Sequence, residues 1–348
     1  MYTLSMINGV SEVLKSKDTW MVITSIYPQR EELLATLDLG WSVVIVGDLK
    51  TPTDSWSTIR RENFYYLSPE FQTKLFPEFS EMLGFGTYAR KNIGYLFAIS
   101  NGALAIWDTD DDTYIRSEAR PFLRDIEGCK FSRVEGDAYF NPYVHFAPKS
   151  GLWPRGYPLR RIAADRLSLP EHLNIVPSNE SIDFDILQTL VNVEPDLDAI
   201  YRMTNGDDRL DFNFSNEVLA LGENVISPGN TQSTLWVNPE KFIYLYIPRW
   251  VTFRFCDILK MYIAQSRSNF SYAGFWSEQY RNPHDYMVDF ESEIQCYLNA
   301  EHLVEHLGNS QTLNLRDIYS ELADIGICTK QEAASASLFE SIVLDLKK

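Results

Sequence analysis

The chain has 348 residues, 45% hydrophobic and 14% aromatic, which suits a folded protein of one large or two smaller domains and excludes a disordered chain. Its 48 Asp plus Glu outnumber 31 Lys plus Arg, giving a net charge of −17. Such a surface argues against a general nucleic-acid binder, yet allows one phosphorylated small ligand held by a local patch of positive charge or a metal.

Taken in chain order, the N-terminal "MYTLSMINGV" has no basic region followed by an apolar core, and no apolar run reaches about 18 residues. The expectation is a soluble, cytoplasmic chain without signal peptide or membrane anchor. Cys129, Cys256, Cys296 and Cys328 are far apart with no CxxC, so there is no zinc ribbon and no disulfide framework. "TWMVITSIYP" and "GWSVVIVGDLKTP" are short β-branched runs stopped by Pro28 and Pro52, and read as strands buried on two faces. Between them, "REELLATLDLG" puts Leu33, Leu34 and Leu37 on one helical face and ends at Gly40, which predicts a right-handed βαβ unit. "TYARKNIGYLFAISNG" spaces Ala89, Ile93, Leu96 and Phe97 helically, stops at Gly102 and leads into the strand "ALAIW". Three strand–helix repeats predict an α/β fold around a doubly wound, mostly parallel sheet. "NPYVHFAPKSGLWPRGYPLRRI" reads as a long ordered loop, and "LDAIYRMT" and "KFIYLYIP" as further strands. After Trp250 the periodicity is helical, so the expected organisation is residues 1–250 and a helical region, 251–348.

In open α/β sheets, ligands bind beyond the carboxyl ends of the strands. Those ends carry Thr24 and Ser25, then Asp48 with Lys50, then the run "DTDDD" from Asp108 to Asp112. As a calcium loop the last fails, because Thr113 and Ala119 stand where an EF-hand needs Gly and Glu. A solvated turn is the plain alternative, since Asp is common in turns. A cluster held together at a buried strand end instead favours a hard divalent cation. Mg²⁺ or Mn²⁺ takes one or two carboxylates and completes its shell with phosphate oxygens of the substrate, as at a DxD motif.

"ITSIYP", "GWSVVIVGDLKTP", "NIGYLFAISNGALAIWDTDDD", "NPYVHF", "LWPRGYPL", "EPDLDAIYRMT" and "RNPHDYMVDFESE" are similar, in this order, to the blocks of the STELLO-like, DUF288 family of GT-A-type glycosyltransferases. The resemblance covers roughly residues 19 to 300, and "DDDTY" also resembles the metal site of exostosin-type enzymes. It implies a GT-A fold, with residues 1–250 as the nucleotide-sugar-binding and catalytic domain and 251–348 completing or covering the site. It implies a UDP-sugar donor, a saccharide or glycan acceptor, Mn²⁺ or Mg²⁺, and a role in glycan biosynthesis. Golgi residence, which plant members owe to a membrane anchor, is not carried over.

By the same resemblance, Asp110 faces the ribose and shares the metal with Asp112, which binds it directly, with Asp108 or Asp111 supporting them and His284 completing the metal shell. Thr24, Ser25, Asp48 and Lys50 lie on the nucleoside side, and Arg90 and Lys91 reach ribose or phosphate. Trp153 and Arg155 line the sugar side, and Arg254 (or Arg281, beside Asp285) suits the diphosphate through its planar fork. A carboxylate near the anomeric carbon is expected in "VEPDLDAIYR" from Glu194, Asp196 and Asp198, or at Asp257. On a strand, Asp196 and Asp198 would share a face. A nucleotidyltransferase fits less well, since "SIYPQREE" has no glycine-rich phosphate cradle. A nucleotide-sugar mutase and a non-catalytic scaffold that binds partners are the other readings.

Overall fold

Strand β1 (Thr19–Ser25) pairs in parallel with β2 (Ser42–Gly47), from Trp20 opposite Ser42 to Ser25 opposite Gly47. Alternation sends Met21, Ile23, Val43 and Ile45 into one hydrophobic core and Val22, Val44 and Val46 into another, on the opposite face of the sheet. The computed structural model describes residues 6–30, 39–206, 209–281 and 285–348. The helix expected around Leu33, Leu34 and Leu37 and the expected metal ligand His284 therefore lie outside the described residues.

The remaining strands are β3 (Phe64–Leu67), β4 (Ala105–Thr109), β5 (Thr113–Ile115), β6 (Lys130–Tyr139), β7 (Leu173–Ser178) and β8 (Ile186–Asn192). They are followed by β9 (Glu217–Leu221), β10 (Asn224–Ile226), β11 (Ser233–Trp236) and β12 (Phe270–Gln279). One mixed, mostly parallel sheet of 12 strands has the order β10-β6-β9-β12-β8-β11-β4-β1-β2-β3, with β5 on β12 and β7 on β6. This is the expected α/β, GT-A-type architecture. Because β1, β2 and β4 are parallel neighbours, their carboxyl ends share one edge. Strand β11 runs antiparallel between β4 and β8, so its first residues reach that same edge.

The helix Lys91–Ser100 lies against β1 and β2 on its glycine. A Cβ on Gly94 would stand 2.6 Å from both Val22 Cγ1 and Val46 Cγ2. That close approach seats Lys91, at the start of the helix, beside the end of β4.

Three expectations are corrected. "LDAIYRMT" is a helix, Ala199–Asn205, because Asp198 caps it by accepting from Tyr201 N at 2.7 Å. Asp196 and Asp198 therefore do not share a strand face. "KFIYLYIP" lies mostly in a 3₁₀ helix, Pro239–Leu245, which begins where Asn238 accepts from Glu240 N and Pro239 sets the first turn. And the chain after Trp250 is not purely helical. β12, aromatic and almost wholly buried, sits between β9 and β8, so the sheet draws a strand from each side of the expected boundary. Its register shifts between Ala273 and Ser277, where Phe275 has φ +33, and the strand beyond the bulge turns to pair with β5.

The α-helices after β11, among the described residues, are Phe253–Gln265, Tyr286–Asn309, Leu315–Asp324 and Lys330–Leu346. Among the described residues no helix is long and apolar enough to cross a membrane.

Candidate active site

The edge where β1, β2 and β4 end collects the expected polar groups. Ser25 donates through Oγ to Asp111 Oδ2, tying the end of β1 to the acidic turn. Thr51 Oγ1 donates to the Ser25 carbonyl and accepts from Asp48 N at 2.7 Å, which ties in β2. The Asp48 carboxylate accepts from Leu49 N at 2.6 Å and from Gly86 N at 2.8 and 3.0 Å. Thr24 is half-buried and Lys50 exposed.

The four aspartates differ in surroundings. Asp108 lies within β4, fully buried, with its oxygens 2.8 Å from Lys91 Nζ and 2.7 Å from Lys260 Nζ. Burial alone would raise its carboxyl, but the two ammonium groups outweigh it and hold Asp108 below the usual range. Asp110 is partly buried and accepts through Oδ1 from the Tyr88 hydroxyl at 2.7 Å, with Lys91 Nζ at 3.4 Å. Burial, helped by Asp112 and Asp108 and opposed by Lys91, pushes its carboxyl up to about 6. Burial also raises Asp111. Asp112 accepts through Oδ1 from Gln279 Nε2 at 2.8 Å.

Arg90 and Lys91, adjacent in sequence, part company. Lys91 points at the carboxylates and also donates to the Thr109 carbonyl at 2.6 Å. Arg90 turns away, fully buried, to Gln72 Oε1 at 2.9 Å and Ser80 Oγ at 3.0 Å, with its guanidinium over the Phe85 ring.

A second constellation is centred on Arg155. Its fork grips Asp196 (Nε–Oδ1 3.0 Å, Nη2–Oδ2 2.8 Å) and Asp257 (Nη1–Oδ1 2.8 Å, Nη2–Oδ2 2.6 Å), all three side chains being buried. Burial works against ionising Asp196, but Arg155, Arg254 and Arg281 outweigh it and hold its carboxyl well below the ordinary value. Arg254 is engaged by the buried Glu293, 2.8 Å from its Nε. Asp198, besides capping its helix, accepts from Trp153 Nε1, and burial pushes its carboxyl up to about 7. Trp153 is itself core, its ring edge-on to Tyr201 at 4.9 Å. Arg281 connects the two centres: its Nε donates to Gln279 Oε1 and its Nη2 lies 3.7 Å from Asp196 Oδ1.

Thus Ser25, Asp48, Lys91 and Asp110–Asp112 meet at one edge, Asp196, Asp257, Arg155 and Arg254 meet in a second cluster linked to it through Arg281, and Arg90 belongs to neither group. Three contributors were missed. Tyr88 stands one turn before Lys91. Lys260 carried a signal, a lysine three residues after Asp257 within the otherwise apolar run 258–264. Gln279 had none, since its strand was not read.

The donors in the acidic turn are all carboxylate oxygens, the chemistry a hard divalent cation takes. Among the described residues no three His, Cys, Asp or Glu side chains converge into a ready metal shell.

The fold and this edge define an α/β protein whose architecture is consistent with the GT-A type. Two Arabidopsis thaliana proteins are similar to it. "Probable glycosyltransferase STELLO1" is 28% identical over 264 residues, 71% of this chain and 33% of that protein. "Probable glycosyltransferase STELLO2" is 26% identical over 310 residues, 83% of this chain and 39% of that one. The chain is thus similar to STELLO proteins and spans well under half the length of the curated relatives it matches. No protein-family model matches it.

Proposed function

We propose that this protein is a metal-dependent glycosyltransferase that moves a sugar from a nucleoside-diphosphate donor, UDP-linked, to a saccharide hydroxyl. The observation that carries the reading is the state of Asp110 and Asp112. Each has Oδ1 engaged by a neighbour, and among the described residues no hydrogen bond reaches either Oδ2. They stand at the one sheet edge where ligands of open α/β folds bind. The names of the two relatives support glycosyl transfer in general.

In this reading Asp110 and Asp112 hold Mn²⁺ or Mg²⁺, and the bound metal supplies charge neutralisation for the departing diphosphate. Ser25 and Asp48 serve the nucleoside side. Lys91 sets a fixed positive charge behind Asp110. Arg281 is the arginine for the diphosphate, because Arg155 and Arg254 already spend their donors on buried carboxylates. Asp196 is the carboxylate closest in linkage to the metal ligands, through Arg281 and Gln279. Held well below the ordinary range, it is a poor proton acceptor and a good stabiliser of positive charge at the anomeric carbon. Asp257 holds Arg155, and Asp198 holds the turn at Trp153.

Calorimetry of UDP binding tests this. Affinity is expected to require Mn²⁺ or Mg²⁺, to vanish in EDTA and to be lost in Asp112→Asn with the fold intact. Equal UDP affinity with and without metal would overturn the reading. A screen of nucleotide sugars for Mn²⁺-dependent hydrolysis then names the donor.

A further inference from the structure

We infer that Tyr88 and Gln279 are the positioning residues that aim Asp110 and Asp112 at the metal, an inference that rests on the reading of those two aspartates as its ligands. The two come from separate elements. Tyr88 opens the 3₁₀ turn Tyr88–Arg90 ahead of the helix Lys91–Ser100. Gln279 ends β12, opposite Thr113 in register and hence beside Asp112.

The orientation of Gln279 follows from its other partners. Its side-chain oxygen accepts from Arg281 Nε and from Gln232 Nε2, and an arginine can only donate. The amide is thereby turned with its NH₂ toward Asp112 Oδ1, 2.8 Å away. Gln232 is fixed in turn, donating to the Glu194 carbonyl at 2.9 Å. Gln279 is buried, so this amide has no competing water.

Tyr88 is constrained by the same kind of bookkeeping. Lys91 Nζ lies 2.9 Å from its hydroxyl and can only donate, and an ionised Asp110 can only accept. The one phenolic proton therefore goes to Asp110 Oδ1, and Thr231 Oγ1, 2.8 Å away, donates its own.

Each aspartate is thus held by one oxygen and would offer the other to a metal, so the protein itself sets the orientation of both side chains. Partners of this kind behind metal ligands are worth about 10- to 100-fold in metal affinity. The residues in question are neutral and carry no formal charge to the metal, so their effect is geometric.

The test is Mn²⁺ binding to the full chain, followed by the loss of the free-ion electron paramagnetic resonance signal, with the melting temperature of the metal-free protein recorded alongside. Tyr88→Phe and Gln279→Met keep ring and chain length and remove the donors to the two aspartates, together with the oxygens that accept from Lys91 and Thr231 and from Arg281 and Gln232. Each is expected to weaken Mn²⁺ by about tenfold or more, whatever the accompanying change in metal-free melting temperature. Wild-type binding with both variants inside about threefold of it overturns the inference and leaves the metal site standing. Lowered metal-free melting with unchanged Mn²⁺ affinity also overturns it, since that marks a purely structural role. If Gln279→Met does not fold, Tyr88→Phe decides alone. No Mn²⁺ binding by the wild type overturns the metal reading itself, and the inference with it.

Discussion

Asp196 and Asp198, two positions apart in the sequence, are driven in opposite directions by their neighbours. Asp196 is clasped by Arg155 and held low, whereas Asp198 receives only a backbone and an indole N–H and is pushed up to about 7 by burial, with Glu293 adding to the rise and Arg254 opposing it. A carboxyl whose folded value lies above its unfolded one binds its proton more tightly in the native state. Its burial cost is absent below about pH 4, where both states are protonated, and is fully felt above about pH 7. Stability through Asp198 therefore falls as pH rises across that window, by at most about 4 kcal/mol for three pKa units. Asp198→Asn keeps one acceptor for the helix cap and removes the titration. Urea denaturation at several pH values should show a flatter profile for the variant between about pH 4 and 7 than for wild type. Parallel profiles would mean that Asp198 stays ionised in the native protein throughout.

At the scale of elements, the position of Lys91 depends on a glycine it does not touch. Replacing Gly94 with Ala in a free helix gains about 1 kcal/mol of propensity. Here the new methyl meets two β-branched side chains at 2.6 Å, Val22 on β1 and Val46 on β2, which have little rotamer freedom to yield. Overpacking of that kind costs about 1–3 kcal/mol, so Gly94→Ala should be net destabilising in denaturant titrations. Gly94→Ala with Val46→Ala should recover part of the loss. A stabilised single variant would show that the helix sits further from the sheet. β1, β2, β4 and this helix were legible in the sequence because their apolar periods are long and their breakers clear. The acidic turn was legible because its residues are consecutive. β12 was not, since "FSYAGFWSEQ" is a bulged strand between two helical stretches, and with it went Gln279. "DLDAIY" imitates strand alternation, while Asp198 acts as a helix cap. The Arg155 clasp spans 41 and 102 positions, and nothing local announces such pairings.

At the scale of the whole molecule, the helical region beyond residue 250 is woven into the part before it. β12 is flanked by β9 and β8, both from the earlier part, and Lys260 supplies half of the charge that neutralises Asp108 in β4. The helix Lys330–Leu346 covers the same core face as Lys91–Ser100, with Phe339 against Phe79 and Tyr246. Its buried Glu332 accepts from the Tyr246 hydroxyl, Arg249 N and Trp250 N, so the first turn of that helix clamps the chain just where the sequence suggested a boundary. A chain ended at Trp250 would expose the flanks of β8 and β9 as long apolar edges, a recognised route to aggregation. It would also leave Asp108 with Lys91 alone and strand the Arg155–Asp196 pair without Asp257. The expectation is that residues 1–250 express as insoluble protein, and that calorimetry of the full chain gives one cooperative transition covering both parts. A soluble 1–250 fragment with its own cooperative melt, or two resolved transitions in the full chain, would show that the part before residue 250 stands without the strand and helices that follow it.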